Sequence, residues 1–197
     1  MPNKYAETFF TKTAQALQKE HGSHHFYGSE LKGPDTNQSL TLRERGFIEA
    51  RDSFYMATIT EDGWPYVQHR GGPEGFTRVL DNTTIGFADF SGNQQFISTA
   101  NVVNNPRVSL IFMDYVHRRR LKIAGLVTLI DTQDERIKQL DIGKYFAAVE
   151  RGYLINVVAF DWNCPQHITQ RFDKPTVDKA VAPLLETIEN LKKGEND

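Results

Sequence analysis

Hydrophobic positions recur along this chain with two different periods, and the change of period divides it. Near the N-terminus, Tyr5, Phe9, Phe10, Ala14 and Leu17 share one face at helical spacing, and Gly22 stands where a helix would end. Residues 23–39 (SHHFYGSELKGPDTNQS) are rich in turn formers and lack periodicity, which predicts a loop draped over the domain. A short helix is expected over Thr41–Arg51. From Ser53 the period shortens to two. FYMATIT, PYVQHRGG, FTRVLD, TTIGFADF, RVSLIFMDY, RRLKIAGLVTLI and GYLINVVAFDW are short apolar, β-branched or aromatic runs. They are parted by turn formers such as Glu61-Asp62-Gly63 and Asp81-Asn82, and they predict seven strands. The polar segment 93–105 reads as a connection, and a helix is expected over Gln133–Val149. From Thr176 onward, Val177, Val181, Leu184, Leu185, Ile188 and Leu191 fall on one helical face despite Pro183, a face expected to pack on the barrel or on a partner.

A mainly β architecture follows: an antiparallel β-barrel, closed or nearly so, with flanking helices over its open edges. A length of 197 residues without repeats or a flexible linker predicts a single domain. Its parts are an N-terminal helix and loop over 1–44, a barrel core over 45–172 and a C-terminal helix over 176–193. The formal net charge of −2 offers no bulk attraction for nucleic acid or anionic lipid. No window approaches the roughly 18 apolar residues of a membrane span, and the N-terminus lacks the core of a signal peptide. The lone Cys164 cannot form an internal disulfide and suits a reducing compartment. A cytoplasmic protein without nucleic-acid or membrane partners is expected.

Candidate chemistry is concentrated in three places. In PYVQHRGG, Tyr66, Gln68 and Arg70 share one strand face, while Val67 and His69 share the other. The polar face either binds an anionic or hydrogen-bonding ligand or is a solvated outer face. The following Gly71-Gly72-Pro73-Glu74-Gly75 has no Gly-Lys-Ser/Thr after it and is a turn or close approach, not a P-loop. In Arg118–Lys122, Arg119 has the parity of Leu121 and Ile123. An arginine on an apolar face needs a partner, either a bound phosphate or a structural ion pair. Finally, Trp162 to His167 packs an indole, an amide, a thiol and an imidazole into six residues. One cysteine and unmatched histidines do not assemble a zinc site, and nothing marks Cys164 as a nucleophile. His21, His24 and His25 are expected at the surface.

Taken in order, GFADFSGNQQFIS, NNPRVSLIFMDY and RRRLKIAG resemble the flavin-binding core of the pyridoxamine 5′-phosphate oxidase-like split-barrel family, over residues 45–172. The most specific pieces are Asn105-Pro106-Arg107-Val108 and the basic strand start at Arg119-Arg120 leading to Gly125. WNCPQHITQR is typical of one branch. The resemblance implies an FMN-binding split barrel, antiparallel and Greek-key-like, working as a homodimer with FMN at the interface. Carried over by motif position, Gln68, His69 and Arg70 lie on the first flavin-contacting strand, and Ala88 and Asp89 on the next. Asn93, Gln94 and Gln95 stand where the family has a Ser-Arg-Lys phosphate-binding run, and Arg119 and Arg120 where it has an Arg-Gln pair.

Two departures from the family pattern matter. Without the Arg and Lys of that run the phosphate site loses positive charge, which Arg70, Arg119 or Arg120 would have to supply. The Trp-Arg-rich C-terminal substrate segment of true pyridoxamine phosphate oxidases is also absent, so vitamin B6 oxidation is not implied. In its place Trp162, Asn163, Gln166 and His167 are expected to reach the flavin, Trp162 by stacking and His167 by a hydrogen bond to a ring carbonyl. The implied function is an FMN-dependent oxidoreductase working between a reduced nicotinamide, NAD(P)H, or a small planar substrate and an acceptor. The alternatives are a non-catalytic flavin- or haem-binding protein, a deazaflavin protein, or a dimeric module whose flavin site has decayed.

Overall fold

The computed structural model describes residues 3–31, 36–143, 145–162 and 165–194. They fall into two compact units, Met1–Met113 with Arg120–Asn163, and Asp114–Arg119 with Cys164–Asp197. The elements, in chain order, are α1 (Lys4–Phe9), α2 (Lys12–Glu20), α3 (His24–Tyr27), α4 (Leu42–Glu49), β1 (Ser53–Ile59), β2 (Pro65–Gly71), β3 (Thr77–Val79), β4 (Thr84–Phe90), α5 (Ile97–Asn104), β5 (Arg107–Asp114), β6 (Arg119–Ile130), a 3-10 helix (Glu135–Leu140), β7 (Val149–Trp162) and α6 (Lys174–Gly194).

All seven expected strands are present, in one antiparallel sheet of order β2-β1-β5-β6-β7-β4-β3. Inward side chains alternate as the period of two requires: Phe54, Met56 and Thr58 of β1 are buried while Tyr55 and Ile59 are exposed. The sheet is rolled. Arg70 on the edge strand β2 is ion-paired with Asp89 on β4, next to the opposite edge. Flat strands spaced about 4.8 Å apart would hold those side chains far from each other. Inside the roll, Phe54 lies 4.8 Å from Phe112 and 5.2 Å from Phe87, ring centre to ring centre, and Phe87 stacks on Tyr153 at 4.9 Å. Each such buried ring contributes about 1.5–3 kcal/mol through area removed from water.

The backbone does not close the roll. β3 is short, and its first residue, Thr77, pairs with Phe87. Ala88–Phe90 therefore pair through their backbone with β7 alone among the described strands. On the free side of this stretch β2 approaches through side chains, which makes the barrel a split one.

Four local differences from the expected elements have physical causes. The N-terminal helix is two helices, because the Thr11 hydroxyl restarts the helix by accepting the Ala14 N–H at 3.2 Å. Within the stretch expected as a draped loop, His24–Tyr27 turns into the short α3. The polar segment 93–105 contains α5. Over Gln133–Val149, where a helix is expected, only the 3-10 helix forms among the described residues. Asp134 caps its start, the Asp141 carboxylate accepts the Gly143 N–H at 2.8 Å, and Gly143 takes a φ of 75°. These side-chain bonds compete with a continuing helical ladder, and by Val149 the chain is already in β7. In the second unit, α6 carries the expected apolar face, exposed along Leu184, Leu185, Ile188 and Leu191. Among the described residues, no helix is long and apolar enough to cross a membrane.

Candidate active site in the split of the barrel

β2 presents Tyr66, Gln68 and Arg70 half-buried and Val67 and His69 exposed, so its polar face is the inward one and not a solvated outer face. Arg70 bridges the split to Asp89, and its Nη2 donates to Tyr153 Oη at 3.4 Å. Its guanidinium lies 5.1 Å from the centre of the Tyr153 ring and 5.6 Å from that of Phe87, a cation over two aromatic faces. Arg151 is the cross-strand neighbour of Asp89, with its Nε 3.7 Å from Asp89 Oδ2. Its Nη1 donates to Thr99 Oγ1 at 3.1 Å and its Nη2 to Glu150 Oε2 at 2.6 Å. Thr99 Oγ1 and Tyr153 Oη share a hydrogen bond of 2.9 Å. Burial pushes the Tyr153 phenol above its ordinary value, opposed by Thr99 and Arg70, so it stays protonated at neutral pH.

Two recesses flank the Arg70–Asp89 bridge. One, of about 80 Å³, is lined by Tyr66, Gln68, Asn93, Gln94, Gln95 and Ser98 together with the bridge. The other, of about 150 Å³, is lined by His69, Gly71, Phe76, Phe87, Ala88 and Phe90.

The start of α5 opens on the first recess. Its N-cap, Phe96, is left-handed (φ 52°) and makes no side-chain cap, and Gln94 before it has φ 57°. Two non-glycine residues in this region cost about 1 kcal/mol or more each, a strain typical of ligand-binding segments. The first-turn N–H groups have no carbonyl of their own helix to bond. The helix is fixed behind them: Ser98 Oγ donates to Gln68 Oε1 at 2.8 Å in part-buried surroundings, and Asn101 Nδ2 donates to Thr58 Oγ1 at 2.9 Å in buried ones. Beside them, Arg70 Nε is buried and lacks a partner among the described residues.

A sequence family described as pyridoxamine 5′-phosphate oxidase matches residues 40–160, more than half of the chain, from ahead of α4 into β7. The chain belongs to that family. Solved structures similar to this chain lie at low identity. A candidate pyridoxamine 5′-phosphate oxidase from Lactobacillus delbrueckii has a TM-score of 0.50 at 17% identity, covering 64% of this chain and 96% of its own. HupZ of Group A Streptococcus has a TM-score of 0.48 at 15% identity, over 68% and 99%. An FMN-binding protein from Syntrophomonas wolfei has a TM-score of 0.46 at 14% identity, over 61% and 83%. No curated protein matches the chain.

Of the residues that the oxidase-family motifs nominate, the fold gathers Gln68, Arg70, Asp89, Asn93, Gln94 and Gln95 around the first recess, and His69 and Ala88 around the second. Arg119 takes the ion-pair alternative: its Nη2 donates to the buried Asp114 carboxylate at 3.0 Å, in the second unit. Arg120 is half-buried at the start of β6 and lines neither recess. Trp162 is engaged with α4, where its Nε1 donates to Glu44 Oε1 at 2.7 Å. Phe47 packs edge-on at 4.7 Å, and the Arg43 guanidinium lies 4.3 Å from the indole centre. Gln166 and His167 are exposed residues of the second unit, and Asn163 lies outside the described residues.

Sequence reasoning missed Ser98, Thr99, Glu150, Arg151 and Tyr153. A signal existed for two of them, since Arg151 and Tyr153 share parity at the head of β7. Thr99 was hidden in a segment read as a connection.

Proposed function

We propose that this chain binds FMN in the split of its barrel and works as an oxidoreductase, between a reduced nicotinamide or small planar substrate and an acceptor. The observation that carries the reading is the split itself. It is an opening walled by the edge strand β2 and the free side of Ala88–Phe90, with the uncapped start of α5 at one end. The residues fit the group. The first-turn N–H groups of α5, the Ser98 and Thr99 hydroxyls and the amides of Asn93, Gln94 and Gln95 would hold the phosphate end. The backbone edges at Gln68–Arg70 and Ala88–Asp89 would take the ring, and the orphaned Arg70 Nε is a donor in want of an acceptor. Bound FMN supplies the hydride or electron transfer. Family membership supports the same reading.

A homodimer completes the proposal. The outer face of the sheet exposes Tyr55, Ile59, Val67 and Leu126, and an apolar groove of about 350 Å³ runs beside them. Two copies covering each other there would remove this surface from water.

The test is an absorption spectrum of protein purified without added cofactor, followed by titration with FMN and by anaerobic addition of NAD(P)H. A flavin spectrum, FMN released on heating and bleaching by the nicotinamide are expected. A Soret band, or a colourless protein that does not bind added FMN, overturns the reading.

A further inference from the structure

We infer that the split recognises the ring and ribityl chain of a flavin and not the charge of its phosphate, so that riboflavin and FMN bind with similar affinity. The inference rests on the flavin reading above and narrows its ligand. Three charged side chains line the first recess, Arg70, Asp89 and Glu150, and Arg151, paired with both carboxylates from outside that lining, brings their sum to zero. Arg70 is paired with Asp89, while Arg151 is 2.6 Å from Glu150 and 3.7 Å from Asp89. Their side chains are only 14%, 12%, 18% and 27% exposed for Arg70, Asp89, Arg151 and Glu150, so solvent does not screen the pairing away. The other polar lining groups, from Tyr66, Gln68, Asn93, Gln94, Gln95, Ser98 and Thr99, are neutral.

A dianionic phosphate gains little from such a wall. Drawing Arg70 or Arg151 toward it would strip Asp89 of its counter-charge in a poorly solvated place, which costs as much as the new contact returns. What remains is the start of α5 and the neutral amides and hydroxyls. The helix dipole favours an anion by a factor of about two to five, and neutral donors serve ribityl hydroxyls as well as phosphate oxygens. A wall with two unpaired cations, by contrast, would give FMN a preference of about a hundredfold or more.

Fluorescence-quenching titrations of the full-length protein with FMN and with riboflavin, at low and high salt, decide the matter. Dissociation constants within about tenfold of each other, at both salt concentrations, are expected. A larger preference for FMN that shrinks with salt overturns the inference and leaves the flavin reading standing. Binding of neither flavin overturns the flavin reading and the inference with it. Gln94→Arg adds an unpaired cation on an exposed loop without touching the core. It should raise the FMN-to-riboflavin selectivity at least about tenfold, and Asp89→Asn should act in the same sense by releasing Arg70 from its counter-charge. Unchanged selectivity in Gln94→Arg overturns the inference.

Discussion

Glu44 is 3% exposed, and each of its oxygens is in use. Oε2 accepts the Thr41 N–H at 3.0 Å and the Thr41 hydroxyl at 2.5 Å, closing the capping box of α4, and Oε1 accepts the Trp162 indole. Burial pushes its pKa up, but the hydrogen bonds from Thr41 and Trp162 outweigh burial, and the carboxyl titrates below its ordinary value. A carboxyl depressed in the folded state contributes stability above its unfolded pKa of about 4.3, and that stability is lost as pH falls through the folded value. Asp161 acts in the opposite sense: burial raises it, only partly offset by Lys122, so it is a liability at neutral pH that acid relieves. The clean readout is therefore a difference. Glu44→Gln should cost about 1–3 kcal/mol at pH 7, by chemical denaturation, and its Tm should fall less steeply than wild type below about pH 4.5. Trp162 also shows where sequence reading stops. Its concentration of polar neighbours was visible, but its partner lies 118 positions away.

At the scale of elements, the strands and the short helix α4 were legible, and α3 and α5 were not. Period-two burial in β1, β2 and β5 follows directly from the spacing of apolar residues. α5 begins at a left-handed Phe96 with no capping side chain, so no start signal exists in its sequence, and its stability comes from packing and the Asn101–Thr58 bond. Parity misled at Arg119 because a strand's first residue can share a face with buried neighbours and still project to solvent, where its side chain is 52% exposed.

One strand position was fixed by close approach. Gly125 sits at the irregularity where the β6–β7 register shifts, and a Cβ there would lie 2.4 Å from Ile155 Cγ2 and 3.0 Å from the Asn156 carbonyl oxygen. Gly125→Ala should destabilise the sheet by about 1–3 kcal/mol, read from the denaturant midpoint.

At the scale of the whole molecule, the candidate site draws on β2, β4, α5 and β7, and only the rolling of the sheet brings them together. Motif position nominates the β2 and β4 residues that line the recess. The β7 half had no such guide, because which strand lies beside β4 is decided by topology and not by any local pattern. The proposed dimer belongs to this scale. Leu126 is 41% exposed, so Leu126→Glu should leave the fold intact while shifting sedimentation from dimer to monomer; a wild-type monomer would refute the dimer outright.

The split also sets where the barrel gives way first. A ladder of backbone hydrogen bonds joins every other pair of neighbouring strands, but between β2 and the end of β4 the described contact is a handful of side chains centred on Arg70 and Asp89. Parting that seam breaks few bonds, so in deuterated solvent the amides of β2 and β3 should exchange earlier than those of β5, β6 and β7. A flavin lodged there would act as a clasp, and its grip would be visible as slowed exchange on both sides of the seam while the middle of the sheet stays as it was.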